Sequence, residues 1–439
     1  MNCSSNIPTI EIEPPALAPA RAIPSLRHNF AWTFVGNVLY AGCQWGMLSV
    51  LAKLGSASIV GQFTLGLAIG APVFMFTNLQ LRMVQATDVR GEHRFGDYFT
   101  LRLISTLAGL TAVACVLLFL HDSLEVRIVV FLVAITKSVE CMSDAIAGLL
   151  QREERLKRVA ISLMIRGVGS VAAFFVAFRF FRSLQLAVFA MAGVWLAVLM
   201  FYDVPNAKAV IAPEDGFFHF DGSQLRKIML LGLPLGWVAT LVSLNANIPR
   251  YFLQHYLGFA DQGIYASLAY PVVAINLIVT ALSVSVTTRL AHMFAAGERK
   301  QFLRLLLKLS MLGVIIVVLG VPLSFLAGRP LLTLLYTREY GNHVGLLAIL
   351  VAATGIGTIG SFLFCGISAA RVFRAQVPVY GASLLAGTAG AALLIPRSGL
   401  TGAGHAILIS AITVVLGGGI VLRNLLSAKP IQNASDFQN

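Results

Sequence analysis

Residues 309–328 read LSMLGVIIVVLGVPLSFLAG, a run without a single Asp, Glu, Lys or Arg. A helix rises about 1.5 Å per residue, so this run spans the roughly 30 Å hydrocarbon core of a bilayer. Lipid offers no partner to a backbone N–H or C=O, and a helix satisfies each of them internally. Working outward, nine more charge-free runs are long enough: Phe30–Ala52, Leu54–Leu81, Leu103–Leu120, Ser183–Tyr202, Ile228–Pro249, Gln262–Thr288, Tyr340–Ala370, Ala375–Pro396 and Ser398–Leu422. Two other segments, 128–150 and 159–178, have the length and hydropathy but carry charges. The reading is an all-α polytopic membrane protein with twelve spans, both termini on one side.

Composition leads to the same class. The chain has 439 residues, 57% of them hydrophobic and 12% charged, where soluble domains carry about 25% charged residues. The 32 Lys and Arg and 19 Asp and Glu cannot clothe a soluble surface of this size. The same hydrophobicity excludes a disordered chain. With the N-terminus inside, 22 of the 32 basic residues fall on inside segments and helix ends and 8 on outside ones, while Lys137 and Arg166 lie within spans. That asymmetry predicts cytoplasmic termini. It also accounts for the net charge of +13, which faces anionic headgroups and requires no nucleic-acid partner.

Residues 1–27, with five prolines and no basic start, read as a disordered cytosolic tail and not as a signal peptide. The predicted lobes are 28–203 and 228–423, six helices each, joined by a cytosolic linker over 204–227 and followed by a tail over 424–439. The lobes echo each other at an offset near 205 residues. Leu54-Gly55, Gly61-Gln62-Phe63 and Pro72 answer Leu257-Gly258, Gly263-Ile264-Tyr265 and Pro271, and Arg82 answers Arg289. The matched helices run in the same direction through the membrane, which implies a pseudo-two-fold axis along its normal and a central cavity between the lobes.

Several chemistries are excluded. Cys3 is in the tail and Cys43, Cys115, Cys141 and Cys365 fall in spans, none placed for an extracytoplasmic disulfide or a metal site. No phosphate-binding P-loop motif is present. The longest outside segment, around 328–340, is too short to hold the catalytic groups of a sugar transferase, polymerase or ligase. We therefore expect neither an enzyme nor a cofactor.

Charges inside spans mark function. Lys137, Glu140 and Asp144 share one helical face by their i, i+3, i+7 spacing, with Gln151 below. In a hairpin of spans four and five, Asp144 and Glu140 would lie about 9 and 15 Å from the inside end, and Arg166 about 12 Å, by 1.5 Å per residue. Arg166 is thus expected to reach either carboxylate. Two readings stay open: a stripe facing a wet cavity, where cations meet an anionic substrate and a carboxylate takes up a coupling ion, or a self-neutralising network that only joins helices. Arg82 and Arg289 at matching inside ends are candidates for phosphate capture or for snorkelling to headgroups. Asn245, Asn247, Pro249 and Arg250 near the end of span seven are candidate cavity-lining groups. Asn37 with Gln44, and Asn78 with Gln85, fit sugar hydroxyls or interhelical hydrogen bonds.

Two stretches carry a family resemblance. Leu81-Arg82-Met83-Val84-Gln85-Ala86-Thr87-Asp88-Val89-Arg90 followed by Phe95-Gly96-Asp97-Tyr98 resembles the segment after helix two of Wzx-type polysaccharide flippases. Gln151-Arg152-Glu153-Glu154-Arg155 with Arg158-Val159-Ala160-Ile161-Ser162 and Ile165-Arg166-Gly167 resembles their helix four–five connection. With the span pattern, the resemblance covers about residues 28–425. It implies the MATE-like fold of the multidrug/oligosaccharidyl-lipid/polysaccharide (MOP) exporter superfamily, with two six-helix lobes around a central cavity. It also implies export of undecaprenyl-diphosphate-linked oligosaccharide from the cytosolic to the outer leaflet of the bacterial plasma (inner) membrane, for lipopolysaccharide or exopolysaccharide. The implied partners are that lipid-linked substrate, membrane lipids, and polysaccharide polymerase and chain-length machinery. On this reading Arg82, Lys137, Arg166, Asn245, Arg250 and Arg289 are candidates to bind substrate, and Glu140 or Asp144 to couple an ion. One departure stands out: the first span has no Arg or Lys before Lys53, so it lacks the basic wall of cationic-lumen flippases. The rivals are a cation-coupled multidrug exporter of the same superfamily and a membrane glycosyltransferase or ligase. Asp88-Val89-Arg90-Gly91 also resembles a major facilitator loop, although Val84 stands where that motif has Gly.

Overall fold

The computed structural model describes residues 26–88, 92–211, 215–370 and 372–427; residues 1–25 and 428–439 of the expected tails and Val89–Gly91 of the loop motif fall outside these, while 26–27 and 424–427, expected in the tails, are helical. The helices are α1 (Leu26–Leu54), α2 (Ala57–Thr77), α3 (Leu81–Thr87), α4 (Phe95–Phe119), α5 (Leu124–Arg152), α6 (Leu156–Phe181), α7 (Leu184–Val198), α8 (Val204–Lys208), α9 (Gly222–Tyr256), α10 (Phe259–Ala295), α11 (Arg299–Leu335), α12 (Val344–Ala369) and α13 (Gln376–Ser427). Polar caps set several of the starts. Ser56, Ser123 and Ser183 accept the N–H of Ile59, Val126 and Leu186, and Asp221 accepts those of Ser223 and Gln224, each satisfying a donor the helix leaves open.

Among the described residues, nine helices are long and apolar enough to cross a membrane. The 52-residue α13 is two arms, because Gly399 (φ +60°, ψ −134°) reverses the chain. Ser383 and Ser410 then exchange side-chain-to-backbone hydrogen bonds across the antiparallel arms. The charged α5 and the long α10 have 29 and 37 residues. Together these are consistent with twelve passes. Side chains such as Phe119, Phe180, Phe201 and Leu326, three-quarters or more exposed, form an outer apolar surface that only lipid covers without cost.

The ends of the bundle differ. One, here the basic end, carries Arg152, Arg158, Arg299, Lys300 and Arg304 beside the starts of α1, α4, α6, α9 and α11. The polar linker expected over 204–227 is shorter than hydropathy suggests. A π-helical turn at Leu199–Asp203 joins α7 to α8, which ends at Lys208, and α9 begins at Gly222. Helices outrun the apolar run because their backbone stays paired beyond the hydrocarbon. The remaining connection folds back onto α4: the His219 ring lies 2.7 Å from Asp97 Oδ1, and Phe217 packs on Phe95 and Phe99.

At the opposite end a single buried cluster crosses between the lobes. It joins Met47, Leu48, Leu51, Phe63, Phe174 and Phe178 to Leu253, Ile264, Leu332, Tyr336 and Leu346. Trp45 Nε1 donates to Tyr336 Oη at 2.6 Å, and that hydroxyl donates to Ser267 O at 2.9 Å. Gly61 and Gly263, paired by the sequence repeat, meet here reciprocally. A Cβ on Gly61 would overlap the Phe259 carbonyl of α10, and one on Gly263 would overlap the Ala57 carbonyl of α2. Such i-to-j and j-to-i contact is the relation a two-fold axis produces. At the basic end the apolar clusters are separate. One lies within α4–α8 around Phe95, Ile146 and Leu150, and another within α10–α13 around Phe302, Leu306 and Cys365. A third seats the start of α9 on α3 and α4 through Leu225 and Ile228. The lobes are therefore sealed at one end and joined along one flank at the other.

Candidate functional site

A cavity of about 580 Å³ lies on the inner side of α2–α5, running from Lys137 in mid-α5 to Gln151 at the basic end. Its charges come from three elements, α3, α4 and α5. Asp144 of α5 receives two guanidiniums: Arg82 Nη1 at 3.1 Å from Oδ1, and Arg102 Nη2 at 3.3 Å from Oδ2. Arg82 is delivered by a break in the second span. Leu79 and Gln80 adopt positive φ (49° and 50°), ending α2 and starting α3 over α5. Positive φ is strained for such residues; burial of Leu79 against Leu81, Tyr98, Leu101 and Leu225 holds it. Arg82 Nε also donates to Gln151 Oε1 at 3.1 Å.

Arg102 is fully buried. It donates to the Asn78 side chain and to Asn78 O, the latter at 3.1 Å. Sequence reasoning missed it, because the charge-free run began at Leu103. The signal lay upstream: Asp97 accepts the Arg94 N–H in a capping box, so the helix starts at Phe95. That start carries Arg102 about 10 Å inward at 1.5 Å per residue.

One turn above, Lys137 Nζ lies 2.6 Å from Glu140 Oε2, and the Tyr40 hydroxyl of α1 donates to Oε1 at 3.3 Å. Lys137 also lies 6.0 Å from the centre of the buried Trp195 ring. Arg166 departs from the spacing argument, pairing with neither Glu140 nor Asp144 among the described residues. α6 packs along α1 and α7 and touches α5 little, so the guanidinium points at α7. It sits 5.6 Å over the Trp195 ring, whose Nε1 donates to Ser170 Oγ at 2.6 Å. Cation–π attraction replaces the expected salt bridge. Asp203, buried at the π-helical turn, is a carboxylate that the Arg166 charge reaches.

Of the other candidates, Arg289 is exposed at the basic end of α10 and lines neither cavity. Asn37 donates to Thr33 O of its own helix. Gln85 is buried against Gly148 of α5. Asn245 and Arg250 lie in a separate trough of about 360 Å³ in the C-terminal lobe. Among the described residues, the cavity of α2–α5 thus holds three cations, Arg82, Arg102 and Lys137, against two carboxylates, Glu140 and Asp144. It has one positive charge in excess and lies beside Tyr40 of the first helix, which suits an anionic group.

Residues 26–288, more than half of the chain, match the model of the family described as polysaccharide biosynthesis protein. The chain belongs to that family. It is 27% identical over 384 residues to the capsular polysaccharide biosynthesis protein CapF of Staphylococcus aureus, covering 87% of this chain and 95% of CapF. Among solved structures, this family member resembles the lipid II flippase MurJ in an inward closed conformation. There the TM-score is 0.66 at 13% identity, over 90% of this chain and 87% of that one. It also resembles a point mutant of the Vibrio cholerae MATE transporter VcmN, with a TM-score of 0.64 at 13% identity over 92% and 97% of the two chains. At that identity the likeness is one of fold: an all-α, multi-pass membrane protein built like the MOP-superfamily transporters. The resemblance read at residues 81–98 and 151–167 is borne out at the level of family.

Proposed function

We propose that this protein is a flippase that carries undecaprenyl-diphosphate-linked oligosaccharide from the cytosolic to the outer leaflet of the bacterial inner membrane. The observation that carries the reading is the cavity of α2–α5, where three cations outnumber two carboxylates inside the membrane of a polysaccharide biosynthesis family member. A diphosphate and polar sugars cannot cross hydrocarbon unaided. Arg82, Arg102 and Lys137 would take the diphosphate, with exchange of Asp144 and Glu140 for phosphate oxygens as cations change partners. Arg166 would support Lys137 through Trp195.

The asymmetric ends support a reading by alternating access. The seal at Gly61, Gly263, Trp45 and Tyr336 is the outer gate, and the basic end, cytoplasmic by its charge, is the entrance. Residues 28–203 and 228–423 are the rocking bodies. Glu140 or Asp144, released from its cations by the substrate, couples the return step to a proton or another cation. The protein is on this reading a carrier and not an enzyme, working upstream of polymerase and chain-length machinery. An excess of cations also disfavours a cavity for cationic drugs. The test is a deletion strain: lipid-linked repeat units should accumulate on the cytosolic face, and normal surface polysaccharide would refute the assignment.

A further inference from the structure

The second cavity lies in the other lobe. We infer that the C-terminal trough is a distinct ligand site that takes the uncharged glycan of the substrate, while the charged cavity takes the diphosphate. This rests on the carrier reading above and adds a division of labour between the lobes.

The trough is lined by one face each of α9, α10 and α12 and by both arms of α13. On α10 the lining residues Tyr265, Ala269, Val272 and Asn276 recur at helical spacing. From Leu350 to Ser361 on α12 the wall runs about 16 Å, at 1.5 Å per residue, and the volume of about 360 Å³ is in the range of small-ligand sites.

Its chemistry is that of a neutral hydrogen-bonding ligand. Among the described residues, no carboxylate lines it. The Thr354 and Ser361 hydroxyls donate to Leu350 O and Gly357 O of their own helix, at 2.7 and 3.0 Å, which leaves their lone pairs for a ligand O–H. Asn245 donates to Ser383 Oγ at 2.6 Å, and its Oδ1 stays buried without a partner. Arg250, the one cation of the described wall, bonds Asn247 Oδ1 at 3.1 Å, while its Nε is also buried and unpartnered. Unpartnered polar atoms at membrane depth are costly, and a ligand bearing both donors and acceptors relieves them. A sugar does so through its hydroxyls and can lay its C–H faces on the Tyr265 and Tyr380 rings. A diphosphate, which only accepts, would meet the lone pairs of Thr354, Ser361 and Asn245. A prenyl chain would leave all of them unsatisfied, and a cationic drug would find no carboxylate.

Tyr270 of α10 is the link between the cavities: the charges of Arg250 in the trough and of Lys137 and Glu140 in the charged cavity all reach it. A lipid-linked unit can therefore place its diphosphate against α5 and extend its glycan along α12.

The test measures binding of two lipids to the purified full chain in nanodiscs. One is undecaprenyl diphosphate, and the other is the glycan-bearing lipid extracted from a strain lacking this protein. Asn276→Leu combined with Thr354→Val removes two side-chain partners of a ligand hydroxyl. We expect affinity for the glycan-bearing lipid to fall about tenfold and affinity for undecaprenyl diphosphate to hold. Ser361→Ala should give a smaller loss of the same kind, and Thr354→Ser should bind as the parent does, which controls for folding. Equal loss for both lipids, or no loss for either, overturns the glycan assignment and leaves the carrier reading intact. If the deletion strain contains no such lipid, or the parent protein binds neither, the carrier reading falls and this inference with it.

Discussion

Each lobe holds a cavity, and the two cavities differ in kind. On the N-terminal side, acidic groups are held by charge. Asp144 lies between Arg82 and Arg102, and Glu140 between Lys137 and Tyr40. On the C-terminal side, the trough on α9, α10, α12 and α13 holds amides and hydroxyls, with a single Arg among its described residues. Yet the two lobes meet through the reciprocal pair Gly61 and Gly263. The repeat is thus preserved where backbones approach closely and lost in the side chains that line the two cavities. Close packing restrains both copies alike, whereas the ligand proposed above, charged at one end and neutral at the other, would ask different things of each.

Four substitutions test that contrast, in falling order of effect. Asp144→Ala should do most, because it strands the fully buried Arg102 beside a neutral neighbour. Breaking a buried pair costs about 3–5 kcal/mol, and the 29% exposure of Asp144 places the cost toward the lower end. A lower melting temperature of the purified protein, partly restored by adding Arg102→Met, is the expected outcome. Unchanged melting would mean that charge does not organise this lobe.

Gly61→Ala comes next. Its methyl would overlap the Phe259 carbonyl oxygen, so the seal between the lobes must open by about 1 Å to reach an ordinary contact. We expect transport to be lost with the protein still folded, and a cysteine placed at Gln62 to react faster with an impermeant thiol reagent. Gly263→Ala should behave the same way, and a normal result for only one of the pair would break the symmetry argument.

Asn245→Ala should cost far less, about 1 kcal/mol for a single neutral hydrogen bond to Ser383. A loss as large as that of Asp144→Ala would erase the distinction between the lobes. The smallest effect belongs to Arg289→Ala. Arg289 echoes Arg82 in the sequence but stands exposed outside both cavities, so melting and transport should stay at the parent level. A transport defect there would restore Arg289 as a second phosphate-capturing residue.

Much of this was legible from the chain alone. The spans, the basic end and the special status of α5 follow from hydropathy and charge placement, and residues 81–98 and 151–167 pointed to the family. The turn at Gly399 was readable as a gap between two apolar runs. The partners of the buried charges were not. Arg166 was expected to meet Glu140 or Asp144 because their depths agree, but depth says nothing of rotation about the axis, and α6 turns it onto Trp195. Arg102 looked like a helix-end residue because its neighbours on one side are polar. Asp203 gave no signal beyond being a carboxylate at a span end, and Tyr40 none beyond being a phenol in mid-span.

Hydrophobicity acts over about 20 consecutive residues, so the sequence by itself determined that this is a helical, multi-pass membrane protein and which of its long helices are exceptional. Tertiary structure decided which charges meet. Arg82 and Arg102 reach Asp144 from 62 and 42 residues away, through the break at Leu79–Gln80 and the packing of α3 and α4 on α5. It also decided which end is sealed, because that depends on two glycine backbones meeting across the lobes. These relations are set by helix rotation and crossing, which no local run of residues encodes.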